Sequence, residues 1–166
     1  MNTLTESQIR NAFVNASKGE AKRAALPDLE SIDFSGLDYL GWQDAKRPRQ
    51  HYVALELDDE LVVLLLRGAE NPPGRKMMCA WCEDVVDGLH AASFVAPLAG
   101  APGRRGNSIG TSVCADFSCS RHVRRPPQPY ELRTEDPALL AYHREMRIEG
   151  LRERSTTFVK ALLARS

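Results

Sequence analysis

Two short stretches, Cys79-Ala80-Trp81-Cys82 and Cys114-Ala115-Asp116-Phe117-Ser118-Cys119, contain all four cysteines of this 166-residue chain. Within each pair a tight turn lets both thiolates reach one ion, and four such ligands close the tetrahedral shell of a structural zinc. Two disulfides would use the same residues, and a thioredoxin-like dithiol would use Cys79 and Cys82 while leaving Cys114 and Cys119 without a role. The segment MNTLTESQIR is polar from its first residue and lacks the apolar core of a secretory signal. A reduced, cytoplasmic setting is therefore expected. The expectation is one structural Zn2+ held by Cys79, Cys82, Cys114 and Cys119 as deprotonated ligands.

Composition bounds the rest. A chain of this length buries one good core without metal, so zinc is expected to fix a local lobe. Twenty-two basic residues balance 22 acidic ones, which argues against a general nucleic-acid coat. The balance conceals sorting: residues 28–70 carry ten acids against four bases, and residues 75–133 eight bases against five acids. The longest apolar run, Leu61 to Leu66, is too short to cross a bilayer.

Thr5-Glu6-Ser7-Gln8 has the pattern of a capping box, and Ile9, Phe13 and Ala16 follow at helical spacing. A second helical segment, Ala21 to Leu26, is closed by Pro27. The acidic stretch holding Phe34, Leu37, Tyr39 and Trp42 reads as an ordered connector, because Gly36 and Gly41 oppose a long helix. From His51 the period is two; Asp58-Asp59-Glu60 then turns the chain into the apolar run, which predicts a hairpin. Further strands are predicted at Ala91–Ala96 and Ser108–Val113, separated by a Gly/Pro/Arg-rich loop from Ala99 to Gly106. A short helix follows from Phe117 to the stop at Pro126-Pro127. Asp136-Pro137 opens one broken or two consecutive helices, with Leu140, Tyr142, Met146, Ile148, Leu151, Phe158, Leu162 and Leu163 as the apolar stripe.

Cysteine knuckle, hairpin, and helix carrying the last ligand is the order of a treble clef. The predicted class is α+β: an antiparallel sheet with a treble-clef lobe and flanking helices. Its expected segments are 1–47 (helices and connector), 48–133 (zinc-finger domain) and 134–166 (helices packing on the sheet).

Cys79-x2-Cys82, joined to Gly106-Asn-Ser-Ile-Gly-Thr-Ser-Val-Cys-Ala-Asp-Phe-Ser-Cys-Ser-Arg121, resembles the treble-clef finger of FBP-domain proteins, also called elongation factor G-binding proteins. The resemblance implies a protein that binds elongation factor G, as fusidic-acid resistance members do in releasing it from drug-stalled ribosomes. It implies metal ligation by the four cysteines, with Cys114 standing where the resistance proteins carry histidine. It also implies partner contacts at Trp81, Arg105 and the neighbouring Arg104; Ser108 stands where those proteins have an aromatic contact.

The residues alone leave alternatives. Trp81 is either an exposed hot spot beside arginines or the cap of the finger's own small core. Arg104, Arg105, Arg121, Arg124 and Arg125 are either a solvated face or phosphate contacts of a protein that binds ribosomal or transfer RNA. His90, Asn107 and His122 occur in the order of a His-Asn-His nuclease, without a distinctive histidine-centred motif. His51 reads as a strand-face residue and His143 as a solvated helix residue. The favoured reading is a non-enzymatic, monomeric binding protein of the translation machinery.

Overall fold

Period-two patterning places two sets of apolar side chains on opposite sides of the central strands, so each face of the sheet needs a cover. The computed structural model describes residues 1–68, 77–84 and 91–164. It contains a five-stranded antiparallel sheet in sequence order: β1 (Tyr39–Gln43), β2 (Gln50–Leu57), β3 (Glu60–Gly68), β4 (Ala91–Pro97) and β5 (Ser108–Cys114). The β2–β3 hairpin turns through Asp58 and Asp59, at φ 51° and 67°, with Leu57 opposite Glu60. Two left-handed residues match the twist of the flanking strands, and aspartate tolerates that conformation.

One face presents Val53, Leu55, Val62, Leu64 and Leu66 to a core shared with the cysteines and the carboxy-terminal helix. The other presents Trp42, Tyr52, Ala54, Val63 and Leu65 to the amino-terminal segment, through Leu4, Ile9, Ala24 and Phe34. That segment holds two one-and-a-half-turn helices, α1 (Glu6–Asn11) and α2 (Lys18–Arg23), each opened by a complete capping box, Thr5 with Gln8 and Ser17 with Glu20. α2 starts and ends earlier than the sequence suggests, because Ser17 is the stronger cap and Ala24 already has extended geometry.

The expected connector contains a strand. Tyr39–Gln43 pairs with β2 from Leu55 to His51, so the sheet extends back across the expected boundary at residue 47. Gly41, read from sequence as an opponent of regular structure, is what permits the packing: a Cβ there would lie 2.3 Å from the Phe117 ring. Within the Gly/Pro/Arg-rich loop the chain forms a five-residue helix, α3 (Gly100–Arg104).

Between β3 and β4 the sheet forks. Only Arg67 and Gly68 of β3 pair with β4, opposite Val95 and Phe94. Below that point the β3 edge is taken by the amino-terminal segment: Val63 donates to the Ala12 carbonyl at 2.8 Å, and its own carbonyl accepts from Val14 at 3.1 Å. Asn15 closes the fork, accepting from the Leu65 N–H at 2.7 Å and donating to the carbonyls of Leu65 and Pro97, each at 2.9 Å.

After β5 come α4 (Cys119–Arg124) and α5 (Pro137–Ala164). Asp136 caps α5 by accepting from the Ala138 N–H at 2.8 Å. α5 is one continuous helix of 28 residues, where a broken helix or a pair was expected. Gly150 costs helix propensity but leaves every backbone hydrogen bond possible, unlike an internal proline. Ile148, Leu151, Ser155, Val159 and Leu162 form the buried stripe, whereas Tyr142 and Met146, also expected inside, are exposed. Among the described residues no helix is long and apolar enough to cross a membrane.

Candidate metal centre

The first cysteine pair lies in a turn closed by the Glu83 N–H donating to the Cys79 carbonyl at 2.9 Å, with Glu83 left-handed at φ 54°. Inside the turn the backbone N–H groups of Trp81 and Cys82 both point at Cys79 Sγ from 3.4 Å, the donors a thiolate needs. The Ala80 N–H donates to the Ser112 carbonyl at 2.7 Å and fixes the turn to β5. Cys114 ends β5, and Cys119 begins α4 after a bend in which Phe117 is left-handed at φ 58°. Asp116 braces that bend by accepting from the Ser118 N–H.

The four sulfurs meet in the interior. All are buried and lie within 4.8 Å of one another, with Cys79 to Cys119 at 3.5 Å and Cys82 to Cys114 at 3.6 Å. A disulfide requires about 2.0 Å; the edge of a tetrahedron of sulfurs each about 2.3 Å from zinc is about 3.8 Å. The donor set therefore fits one zinc ion and not a pair of disulfides. Its electrostatics agree: hydrogen bonds from Cys114, Cys119 and Cys82 hold Cys79 far below the ordinary thiol range, while the same crowding pushes Cys114 far above it. Four neighbouring thiols in a low-dielectric interior ionise together only when a cation shares their charge.

Trp81 corrects the surface-contact expectation. It is 1% exposed, the largest fully buried side chain described, packed edge-on to Tyr39 at 5.1 Å and against Phe158 of α5 at 5.9 Å. A knuckle turn is superficial only until something covers it, and here α5 does. Arg154 on that helix donates to the Trp81 carbonyl at 2.7 Å and pairs with Glu83 at 3.1 Å. Tyr39 carries a buried hydroxyl whose pKa lies well above the usual phenolic value, first through burial and then through negative charge at Cys119.

A second brace lies behind the knuckle. The enclosed carboxylate of Asp84 receives both guanidinium arms of Arg125 at 2.8 Å and Arg147 of α5 at 2.8 Å; Arg125 also grips Glu131 through two bonds of 2.8 Å. Arg124 and Arg152 both pair with Asp38, and Arg121 lies 3.5 Å from Asp116. Three of the five arginines considered as one basic surface are thus committed to acids of this chain. Nothing in the cysteine spacing announced Asp84, Arg147, Arg154 or Tyr39, whose partners lie far along the sequence.

Arg104, Arg105 and Ser108 are exposed, but at the far end of the β4–β5 hairpin. Ser108 and Cys114 are the two ends of β5, roughly 20 Å apart at the rise of a strand. The structure therefore does not bring these three residues together with the knuckle. Of the nuclease trio, His90 lies outside the described residues, Asn107 is exposed at the hairpin tip, and His122 turns toward the cysteines, with Nδ1 3.4 Å from Cys114 Sγ. His51 is a buried strand-face residue set edge-on to Phe94, and burial holds its pKa below the usual imidazole value.

The fold has a solved counterpart in the fusidic acid resistance protein FusC, at a TM-score of 0.55 and 21% sequence identity over 73% of this chain and 52% of that one. The chain thus spans about half the length of that protein, and the likeness is one of fold. No curated protein sequence matches the chain. A match to the FBP C-terminal treble-clef zinc-finger family extends over residues 8–162, so the four-cysteine centre, the sheet and α5 all fall within it. The chain belongs to the FBP C-terminal treble-clef zinc-finger family, and its centre is that of one structural zinc.

Proposed function

We propose that this chain is a non-enzymatic, cytoplasmic binding protein of the translation machinery that engages elongation factor G one to one and promotes its release from stalled ribosomes. The observation that carries the reading is family membership over nearly the whole chain, with the four-cysteine centre intact. The exposed tip of the β4–β5 hairpin, with Arg104, Arg105 and Ser108, is the proposed contact surface. Trp81, buried between Tyr39 and Phe158, anchors the knuckle to α5 and is no part of that surface.

Direct RNA binding is the weaker reading, because Arg121, Arg124 and Arg125 already face carboxylates. Immobilised protein exposed to elongation factor G of the same organism tests the proposal. Saturable one-to-one binding, slowed in association when Arg104 and Arg105 are both changed to glutamate, is the expected result. Absence of binding at micromolar concentration, together with steeply salt-dependent binding to ribosomal or transfer RNA, would replace it with the RNA reading.

A further inference from the structure

Tyr39 sits on the edge strand β1, yet its side chain belongs to the metal-centre core. Its hydroxyl is fully buried and has no hydrogen-bond partner among protein atoms. A phenolic hydroxyl taken out of water without a partner is costly, and native interiors rarely keep one. Its surroundings limit what could satisfy it. Trp81 stands edge-on to the ring at 5.1 Å, and the polar groups that act on the hydroxyl are thiols: Cys119 first, then Cys79 and Cys114. The Cys79 sulfur has two backbone N–H donors already, and Cys114 has the His122 ring at 3.4 Å. No comparable donor to Cys119 from backbone or ring nitrogen is among the described contacts.

We infer that Tyr39 is an outer donor to the metal centre: its hydroxyl gives a hydrogen bond to the Cys119 thiolate when zinc is held, tying the sheet edge to the centre and damping the charge on that sulfur. Four thiolates around a divalent cation leave an excess negative charge, and donors from the surrounding shell stabilise it and tune the metal's hold. Trp81 keeps the ring in place by packing against it, and the hydroxyl is the working atom.

Tyr39→Phe tests this, because it removes one oxygen and leaves the ring. The expected result is a folded, zinc-loaded protein whose zinc affinity, measured by competition with a chromogenic chelator, falls roughly 10–100-fold. In the cobalt-substituted protein the sulfur-to-metal charge-transfer band should move to lower energy, since a thiolate that loses a hydrogen bond is easier to oxidise. Tyr52→Phe is the control: that hydroxyl bonds Asp44 at 2.9 Å on the other face of the sheet, so its loss should lower melting without moving the cobalt band. Unchanged affinity and an unchanged band in Tyr39→Phe would overturn the assignment, as would a band shift of equal size in Tyr52→Phe.

Discussion

Arg147, the residue before the first buried position of α5, Ile148, reaches the carboxylate of Asp84 at 2.8 Å and with the same nitrogen the His122 carbonyl at 2.8 Å. One guanidinium therefore joins the segment after the knuckle to the end of α4, where the His122 carbonyl also accepts from the capping Arg125 N–H at 3.3 Å and a cation is favoured. Asp84→Ala removes the shared carboxylate and leaves two arginines facing each other in a half-buried place. It should destabilise the protein by about 3–5 kcal/mol, the usual effect of breaking a buried ion pair from one side. Urea unfolding followed by tryptophan fluorescence measures it; a loss under about 1 kcal/mol would mean that water replaces the brace.

Trp81→Ala should behave as a core deletion. The indole packs on Tyr39 and Phe158, so truncation should cost about 3–5 kcal/mol and weaken zinc retention as well. Melting and zinc content measured together decide between this and a surface role, for which both would be nearly unchanged.

Cys119→Ser opens the zinc shell at the first residue of α4. Zinc content should fall well below one per chain, and the core shared by β4, β5, α4 and α5 should loosen, because binding energy at such a site is folding energy. Chelator treatment of the unmodified protein should reproduce the change in near-ultraviolet circular dichroism, and zinc should reverse it.

Asp44 sets an acid limit. Burial alone would raise its pKa, but the N–H of Ala25, the Tyr52 hydroxyl, the N–H of Lys46 and the charge of Arg47 outweigh burial and hold it below the ordinary 3.8. A carboxyl depressed on folding contributes stability at pH values above its unfolded pKa and loses it as pH falls through the folded value. Asp44→Asn should therefore lower the urea midpoint at pH 7, by about 1–3 kcal/mol in stability, with a smaller gap from the parent below pH 3. A gap independent of pH would assign the effect to shape and not to charge.

Gly41→Ala places a methyl group 2.3 Å from Phe117, which cannot retreat without disturbing the bend between Cys114 and Cys119. The expected cost is about 1–3 kcal/mol, with faster zinc loss to a chelator; a neutral result would show that the bend has room to shift.

The metal ligands were legible because the site is local twice over: each cysteine pair is a turn, and turns are written in adjacent residues. The β2–β3 hairpin was legible for the same reason, through alternation and Asp58-Asp59. What escaped depends on distant packing. β1 was hidden because its short sequence, Tyr-Leu-Gly-Trp-Gln, contains a glycine whose purpose appears only when Phe117 lies against it. Trp81 was misjudged because a residue flanked by ligands is superficial within its turn, and the cover comes from Phe158, 77 residues later. The stripe expected along α5 ran too far toward its start, where Tyr142 and Met146 meet solvent.

The fork at Asn15 means that the sheet is continuous in outline but not in its wiring. β1, β2 and most of β3 are laced to one another and to residues 12–14 by main-chain bonds, while the β4–β5 arm joins them through two rungs and one side-chain amide. Amide protons should accordingly sort into two exchange populations, with Val53, Val63 and Leu64 slowest and β4–β5 faster. Loss of the ion would register in the second population first, so this molecule can lose its grip at the cysteines while the strands beside them still keep time.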